Sequence, residues 1–184
     1  VAGGTEQEVT AWNEPLALVG EKVSKAREGL LIEAKPYFKD LTMTLLGPGY
    51  SFRFIRGWKS ESYLESLLVN EKKDRALKNT SVGPQREDIK LLCLDKNTKR
   101  YSSHGEEKLA SIAFVFSLNV AIEKRKNKLT TMLFDELESG LDNSALIKLI
   151  EIIKSLKNQL LITSLRHQSI SKKISGKILY PEQK

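Results

Sequence analysis

The chain has 184 residues, 40% apolar and 29% charged, with a net charge of +7, one cysteine and two histidines. That length can bury one good core, or one core plus a smaller lobe. The composition excludes a disulfide framework and a thiolate metal site, and argues against a metal centre built on histidine.

In chain order, residues 6 to about 39 are expected to be helical, because Trp12, Leu16, Val19, Val23, Ala26, Leu30 and Ala34 recur at threes and fours. Pro36 should end or kink that helix. Such a long amphipathic helix suits one side of an antiparallel arm. Leu41, Met43 and Leu45 alternate with threonines and read as a half-buried strand. Gly47-Pro48-Gly49 is a turn. Tyr50, Phe52 and Phe54 follow as the aromatic face of a second strand, making a β-hairpin that ends at Arg56-Gly57-Trp58. Residues 60–78 return to helix, with Tyr63, Leu64, Leu67 and Leu68 inward.

Thr80-Ser81-Val82-Gly83-Pro84 is a break, and a lobe boundary is expected there: 1–80 as an arm-like lobe, 81–184 as a second unit. Arg86 and Asp88, just beyond it, are placed for a local ion pair. Residues 89–94 form an apolar strand holding a buried Cys93, and Lys96-Asn97 a turn. A helix over 106–126 carries Leu109, Ile112, Ala113, Phe116 and Val120 on one stripe. A buried strand over 129–134, a helix over 143–157 and a buried strand over 160–163 follow, with a last strand at 177–180. Strands alternating with helices, the strands apolar throughout, argue for an α/β fold with a mainly parallel sheet covered on both faces.

No apolar run approaches the ~20 residues of a membrane helix. The lone cysteine suits a reducing cytoplasm. The chain opens on Val1-Ala2-Gly3-Gly4, without Met and without the basic and apolar stretches of a signal peptide, so a fragment lacking its N-terminal part is expected. The excess positive charge is uneven. Beyond residue 142 there are eight basic residues against two acidic ones, and Lys124-Arg125-Lys126-Asn127-Lys128 forms a second basic run. Such asymmetry suggests an anionic partner, nucleic acid foremost; a solvated helix face with a soluble tail is the plainer reading.

The strongest chemical signal is the apolar strand that ends in Asp135-Glu136, followed by Leu137-Glu138-Ser139-Gly140-Leu141-Asp142. Ligands of open α/β sheets bind beyond the carboxyl ends of strands. There an Asp can hold Mg²⁺ through water and the adjacent Glu can take a proton from an attacking water. A strand-end pair that only caps the next turn is the alternative.

Ser103-His104-Gly105-Glu106 precedes the long apolar helix. Ser-x-x-Glu at that place is a capping box. The same helix N-terminus, with free N–H groups, a hydroxyl and a Gly allowing close approach, also suits a phosphate bound by a second protomer. Thr163 and Ser164 end the second apolar strand, where a switch residue would sense a γ-phosphate; a plain strand end is equally in keeping with them. Arg53, Arg56 and Lys59 flank the aromatic strand and can reach DNA phosphates, or simply line an exposed face.

The order Phe52-x-x-x-Arg56-Gly57-Trp58, Asp74-Arg75, Gly83-Pro84-x-Arg86-x-Asp88, Ser103-x-Gly105, Asp135-Glu136 and Ser139-x-Leu141-Asp142 resembles the C-terminal half of the RecF family of bacterial DNA replication and repair proteins. The resemblance covers essentially the whole chain. It implies an ABC-type ATPase head, of which 81–184 is the C-terminal part, with an arm-like second lobe. It implies ATP and Mg²⁺ as cofactors and an ATP-dependent homodimer. It also implies binding to double-stranded DNA and to gapped or single-strand junctions, and action with RecO and RecR in loading RecA during recombinational repair and the SOS response, in the cytoplasm at the nucleoid. On that pattern Ser103, Gly105 and Glu106 match the signature motif, acting in trans, Asp135 and Glu136 the Walker B pair, and Ser139 and Asp142 the D-loop. His104, Glu106 and Gln85 depart from the family's commoner residues.

The phosphate-cradling G-x-x-x-x-G-K-[ST] is absent from the chain, so the chain alone is expected to hydrolyse no ATP. An ABC transporter subunit or SMC-type head, and a non-enzymatic interaction module, are the rival readings.

Overall fold

A computed structural model describes residues 6–165, 174–177 and 179. The first helix, α1 (Glu6–Leu45), runs through Pro15 and Pro36 without ending. The strand expected at 41–45 is therefore helix, and there is no hairpin with 50–55. Helical periodicity wins because Leu31, Ala34, Phe38, Thr42 and Leu45 fall on one buried stripe, whereas Met43 is 51% exposed. The hydroxyl of Thr42, one of the threonines in the alternation that suggested a strand, donates to the Phe38 carbonyl one turn back at 2.8 Å. The helix stops when the N–H groups of Leu46 and Gly47 both turn to the Thr42 carbonyl, Gly47 with φ +100°.

Strand β1 (Tyr50–Ile55) pairs instead with β2 (Asp88–Cys93), antiparallel, with Phe52 opposite Leu91. This sheet joins a segment before residue 80 to one beyond it. β2 turns into a short β3 (Lys96–Asn97) through Leu94-Asp95, both at positive φ. The turn expected at Lys96-Asn97 thus lies two residues earlier, at Leu94-Asp95, as a two-residue hairpin loop requires. The aromatic face of β1 is as expected: Phe52 meets Phe38 and Phe114 edge-on at centroid distances of 5.2 and 5.1 Å. Cys93 is half-buried.

Helix α2 (Tyr63–Leu77) starts at a Ser62 cap and stops at Lys78 in the left-handed conformation. Tyr63 and Leu67 point inward as expected, but Leu68 is 50% exposed. After a one-turn α3 (Thr98–Tyr101) comes α4 (His104–Lys126), then β4 (Thr131–Phe134), α5 (Asn143–Ser155) and β5 (Gln159–Ile162). β4 and β5 pair in parallel, Thr131 opposite Gln159 through Phe134 opposite Ile162, with α5 as the crossover. The fold is α/β, and the described residues form one parallel and one antiparallel sheet.

The parallel strands are not covered on both faces among the described residues. Met132 is buried, but Leu133 is 74% and Leu161 52% exposed. The strand expected at 177–180 lies largely outside the described residues, as does most of the basic tail.

Among the described residues two apolar clusters result. The large one gathers the C-terminal half of α1, β1, α4, β4 and α5 around Phe38, Phe116, Leu149 and Ile150. The small one holds Ala17, Trp58, Tyr63 and Leu67, with Trp58 and Tyr63 stacked at 4.9 Å. Beside it the backbones of two sequence motifs meet: the Gly83 N–H donates to the Gly57 carbonyl at 3.0 Å. A Cβ at Gly57 would lie 1.9 Å from the Gly83 oxygen, so only glycine fits there. Arg27 of α1 ties the joint down, donating to the Pro84 carbonyl and the Glu87 carboxylate at 2.7 and 2.8 Å. The ion pair in this region is therefore Arg27–Glu87, not the expected Arg86–Asp88; Asp88 accepts from the Ile89 N–H.

Candidate functional site

The ends of β4 and β5 carry the carboxylates and hydroxyls singled out above. Parallel pairing sets Phe134 beside Ile162, so the next residues on each strand, Asp135 and Thr163, leave the sheet side by side. The Thr163 hydroxyl donates to Asp135 Oδ1 at 2.6 Å and accepts from the Glu136 N–H at 2.8 Å. Glu136 has φ +45°, a conformation that costs a non-glycine residue roughly 1 kcal/mol or more. Its backbone reverses the chain, the Ser139 N–H closing the turn on the Glu136 carbonyl at 3.0 Å. Leu137, 1% exposed, anchors the turn in the core. The Asp135 and Glu136 side chains stay exposed. The Ser164 hydroxyl donates to Glu138 at 2.7 Å. Asp142 caps α5 through the Ala145 N–H at 2.8 Å.

The N-terminus of α4 lies against this turn. The capping box is present: Ser103 Oγ accepts from the Glu106 N–H, and the Glu106 carboxylate accepts from the Ser103 N–H at 2.8 Å. Folding back in this way keeps the Glu106 charge on its own backbone and leaves the hydroxyl proton of Ser103 free. Gly105 faces the turn so closely that a Cβ there would come within 2.9 Å of the Gly140 carbonyl.

Lys108, one turn into the helix, spans the gap, donating to the carbonyls of Glu136 and Ser139, both at 2.8 Å. Burial pushes the Lys108 ammonium below its ordinary range, against the pull of the Glu138, Glu136 and Asp135 carboxylates. So Ser103, Gly105 and Glu106 are brought to the same place as Asp135, Glu136, Ser139, Thr163 and Ser164, with Asp142 just beyond.

Arg53, Arg56 and Lys59 are not part of this group; they belong to β1 and the segment after it. Arg53 lies opposite Lys90 in the register, both exposed, an arrangement of like charges that costs stability unless an anion sits between them. Arg56 reaches Glu28 at 3.7 Å and stands over the Trp58 ring at 5.4 Å. Lys59 is exposed.

Sequence reasoning missed Lys108, Lys90 and Glu123. Lys108 follows His104 by one helical turn, and that spacing was the available signal. Lys90 could be placed opposite Arg53 only with the β1–β2 register in hand. Glu123 accepts from the Thr130 N–H and hydroxyl at 2.8 and 2.6 Å and from Asn158 at 2.5 Å. It thus staples the starts of β4 and β5 to α4, as Thr163 staples their ends.

Among the described residues no group of three or more His, Cys, Asp or Glu is placed to hold a metal ion, and no helix is long and apolar enough to cross a membrane. What the site offers a hard cation is the exposed Asp135 carboxylate, with one oxygen held by Thr163 and the other available. That fits Mg²⁺, which takes one or two protein carboxylates and keeps several waters.

No family model matches the chain. It is 29% identical over 161 residues to the DNA replication and repair protein RecF of Coxiella burnetii (strain CbuK_Q154), covering 86% of this chain and 45% of that protein. It is 31% identical over 171 residues to RecF of Acinetobacter baylyi, covering 92% and 48%. The solved structure of the recombination mediator protein RecF with ATP aligns with a TM-score of 0.70 at 20% identity, covering 89% of this chain and 46% of that one. A second structure of RecF, with an ATP analogue, aligns at 0.71 and 22%. The two structures share the fold described above. The chain spans about half the length of the curated relatives it matches. It is homologous to the RecF proteins, and the C-terminal half of such a protein fits it.

Proposed function

We propose that the chain is the C-terminal part of an ATP-dependent DNA replication and repair protein that works as a nucleotide-gated DNA clamp. The observation that carries this reading is the seating of the α4 N-terminus on the turn after Asp135-Glu136, through Gly105 and Lys108. A helix N-terminus offers N–H groups and positive dipole to a phosphate. The neighbouring strand end offers an Asp for a cation and a Glu whose carboxylate makes no hydrogen bond within the described residues.

In this reading Ser103, Gly105 and the first N–H groups of α4 meet the γ-phosphate of ATP held by the other protomer. Asp135, oriented by Thr163, binds Mg²⁺ through water, and Mg²⁺ when bound neutralises phosphate charge. Glu136 accepts the proton of the attacking water. Ser139 and Asp142 belong to the loop that crosses the dimer interface, and Thr163 and Ser164 sense the nucleotide's state. ATP closes the homodimer on DNA and hydrolysis opens it. The arm-like lobe lies within residues 1–80, whose 31–54 portion shares the large core with 81–184, the rest of the head. The substrates are double-stranded DNA and gapped junctions, and the partners RecO and RecR, in a cytoplasmic repair pathway that loads RecA. Arg53 with Lys90, Arg56 and Lys59 supply phosphate contacts.

The test joins this segment to a half that carries the phosphate-binding loop. Glu136→Gln should slow hydrolysis while ATP binding and dimerisation persist. Unchanged hydrolysis would leave the carboxylates as turn caps and favour an interaction module. The chain alone should hydrolyse no ATP. If 6–10 phosphate contacts form, DNA affinity should drop by about 10³–10⁵ between 50 and 200 mM salt.

A further inference from the structure

Glu136 is held from both sides of its own peptide framework. Its N–H is fixed by the Thr163 hydroxyl at 2.8 Å, and its carbonyl receives Lys108 Nζ at 2.8 Å and the Ser139 N–H at 3.0 Å. Those bonds maintain a left-handed backbone, φ +45°, that an unsupported glutamate would leave. The direction of the carboxylate follows from that backbone. Lys108 is the only one of these partners that comes from α4, and it also binds the Ser139 carbonyl at 2.8 Å. It therefore grips both ends of the tight turn at once. The ammonium is partly desolvated, so bonds to two carbonyls replace much of its water shell.

We propose that Lys108 is a positioning residue that locks the 136–139 turn to the N-terminus of α4, so that what binds at the helix N-terminus sets the aim of Glu136 in the same chain. The assignment rests on the reading of the site given above and extends it. The Ser103–Gly105 end of α4 and the carboxylate of Glu136 then serve two different nucleotides of a dimer. Lys108 is the strut between them, and it couples the two sites through a helix end and a turn rather than through ligand contact. Lysine suits the task because a single ammonium can donate to two carbonyls that converge on it, which a neutral side chain of that length cannot do.

The experiment has two arms. In this chain, backbone amide exchange is compared for the parent, Lys108→Met and Lys108→Arg. Met keeps the stem and removes the donors. Exchange at Glu136, Ser139 and Leu141 should accelerate about tenfold or more in the Met variant and return toward the parent in the Arg variant, with the α5 amides unchanged. Equal exchange in all three would overturn the proposal, whatever the nucleotide chemistry.

In a polypeptide joining this segment to a phosphate-binding half, Lys108→Met should lower kcat by about tenfold to a hundredfold at an unchanged KM for ATP, since misaimed groups lose rate rather than binding. The Arg variant should recover most of that loss. If Glu136→Gln slows hydrolysis and Lys108→Met does not, Lys108 has no positioning role and the proposal fails. If Glu136→Gln itself changes nothing, the site reading fails. The exchange arm then still decides whether Lys108 fixes the turn.

Discussion

The joint around Trp58 and the head around Leu149 solve the same problem with different means. The joint has a small apolar cluster, Ala17, Trp58, Tyr63 and Leu67, and relies on close backbone approach at Gly57–Gly83, an aromatic stack and the Arg27 clamp. The head has a large cluster but, among the described residues, carries a two-stranded parallel sheet with Leu133 and Leu161 exposed on one face. It compensates with polar staples at both ends of that sheet, Glu123–Thr130–Asn158 at the start and Asp135–Thr163–Glu136 at the exit. Geometry that admits no extra atom stabilises the first; hydrogen bonds made by polar side chains hold the candidate functional edge of the second. The joint is thus specified by glycine and aromatics, and the head by apolar periodicity with a few placed polar groups.

The sharpest way to break the contrast is in the head. Leu149→Ala, at a site with no exposed surface, should cost about 2–5 kcal/mol, read as a lowered urea midpoint for the whole chain. In the joint, Gly57→Ala should cost about 1–3 kcal/mol through overpacking against the Gly83 carbonyl. Amide exchange should show protection lost first in α2, with α4 and α5 retained. A uniform loss would mean the two clusters melt as one.

At the functional edge, Ser103→Ala should cost about 1 kcal/mol by removing the cap of α4, measured by denaturation. The Glu106 N–H would lose its partner, and exchange at the helix start would rise.

The smallest expected effect is a pH dependence. Burial raises the Glu123 carboxyl, but the bonds from Thr130 and Asn158 outweigh it and hold it below its ordinary value. Its stabilising contribution is therefore present above the ordinary carboxylate range and fades as pH falls through the lowered folded-state value. Glu123→Gln should flatten that part of the acid titration.

Much of the head was legible in the sequence because its signals are local. Leu146, Leu149, Ile150 and Ile153 mark a helix face on their own, Ser103 and Glu106 announce a cap, and Asp135-Glu136 ends an apolar strand. The errors came where partners are distant or patterns compete. Leu41, Met43 and Leu45 satisfy a strand's alternation, yet Phe38, Thr42 and Leu45 satisfy the helix, and burial against α4 decided it. β1 looked for its partner nearby and found it at β2. Lys108 acts only through carbonyls of a turn far along the chain, and no residue type in a sequence advertises a carbonyl that needs a cation.

Helix α1 passes through both clusters without a break, 40 residues in one element, which at 1.5 Å per residue is about 60 Å. Mechanically it is a beam clamped near its C-terminal end by Phe38 and Leu45 and loaded farther out by the joint. A tilt of about 10° at the clamp would carry Glu6 through roughly 10 Å at that length. Small angular changes in the head thus become large sweeps far from it, and the torque returns along the same rod: a load applied near Ala17 is felt at Phe38 and, edge-on, by the rings of Phe52 and Phe114.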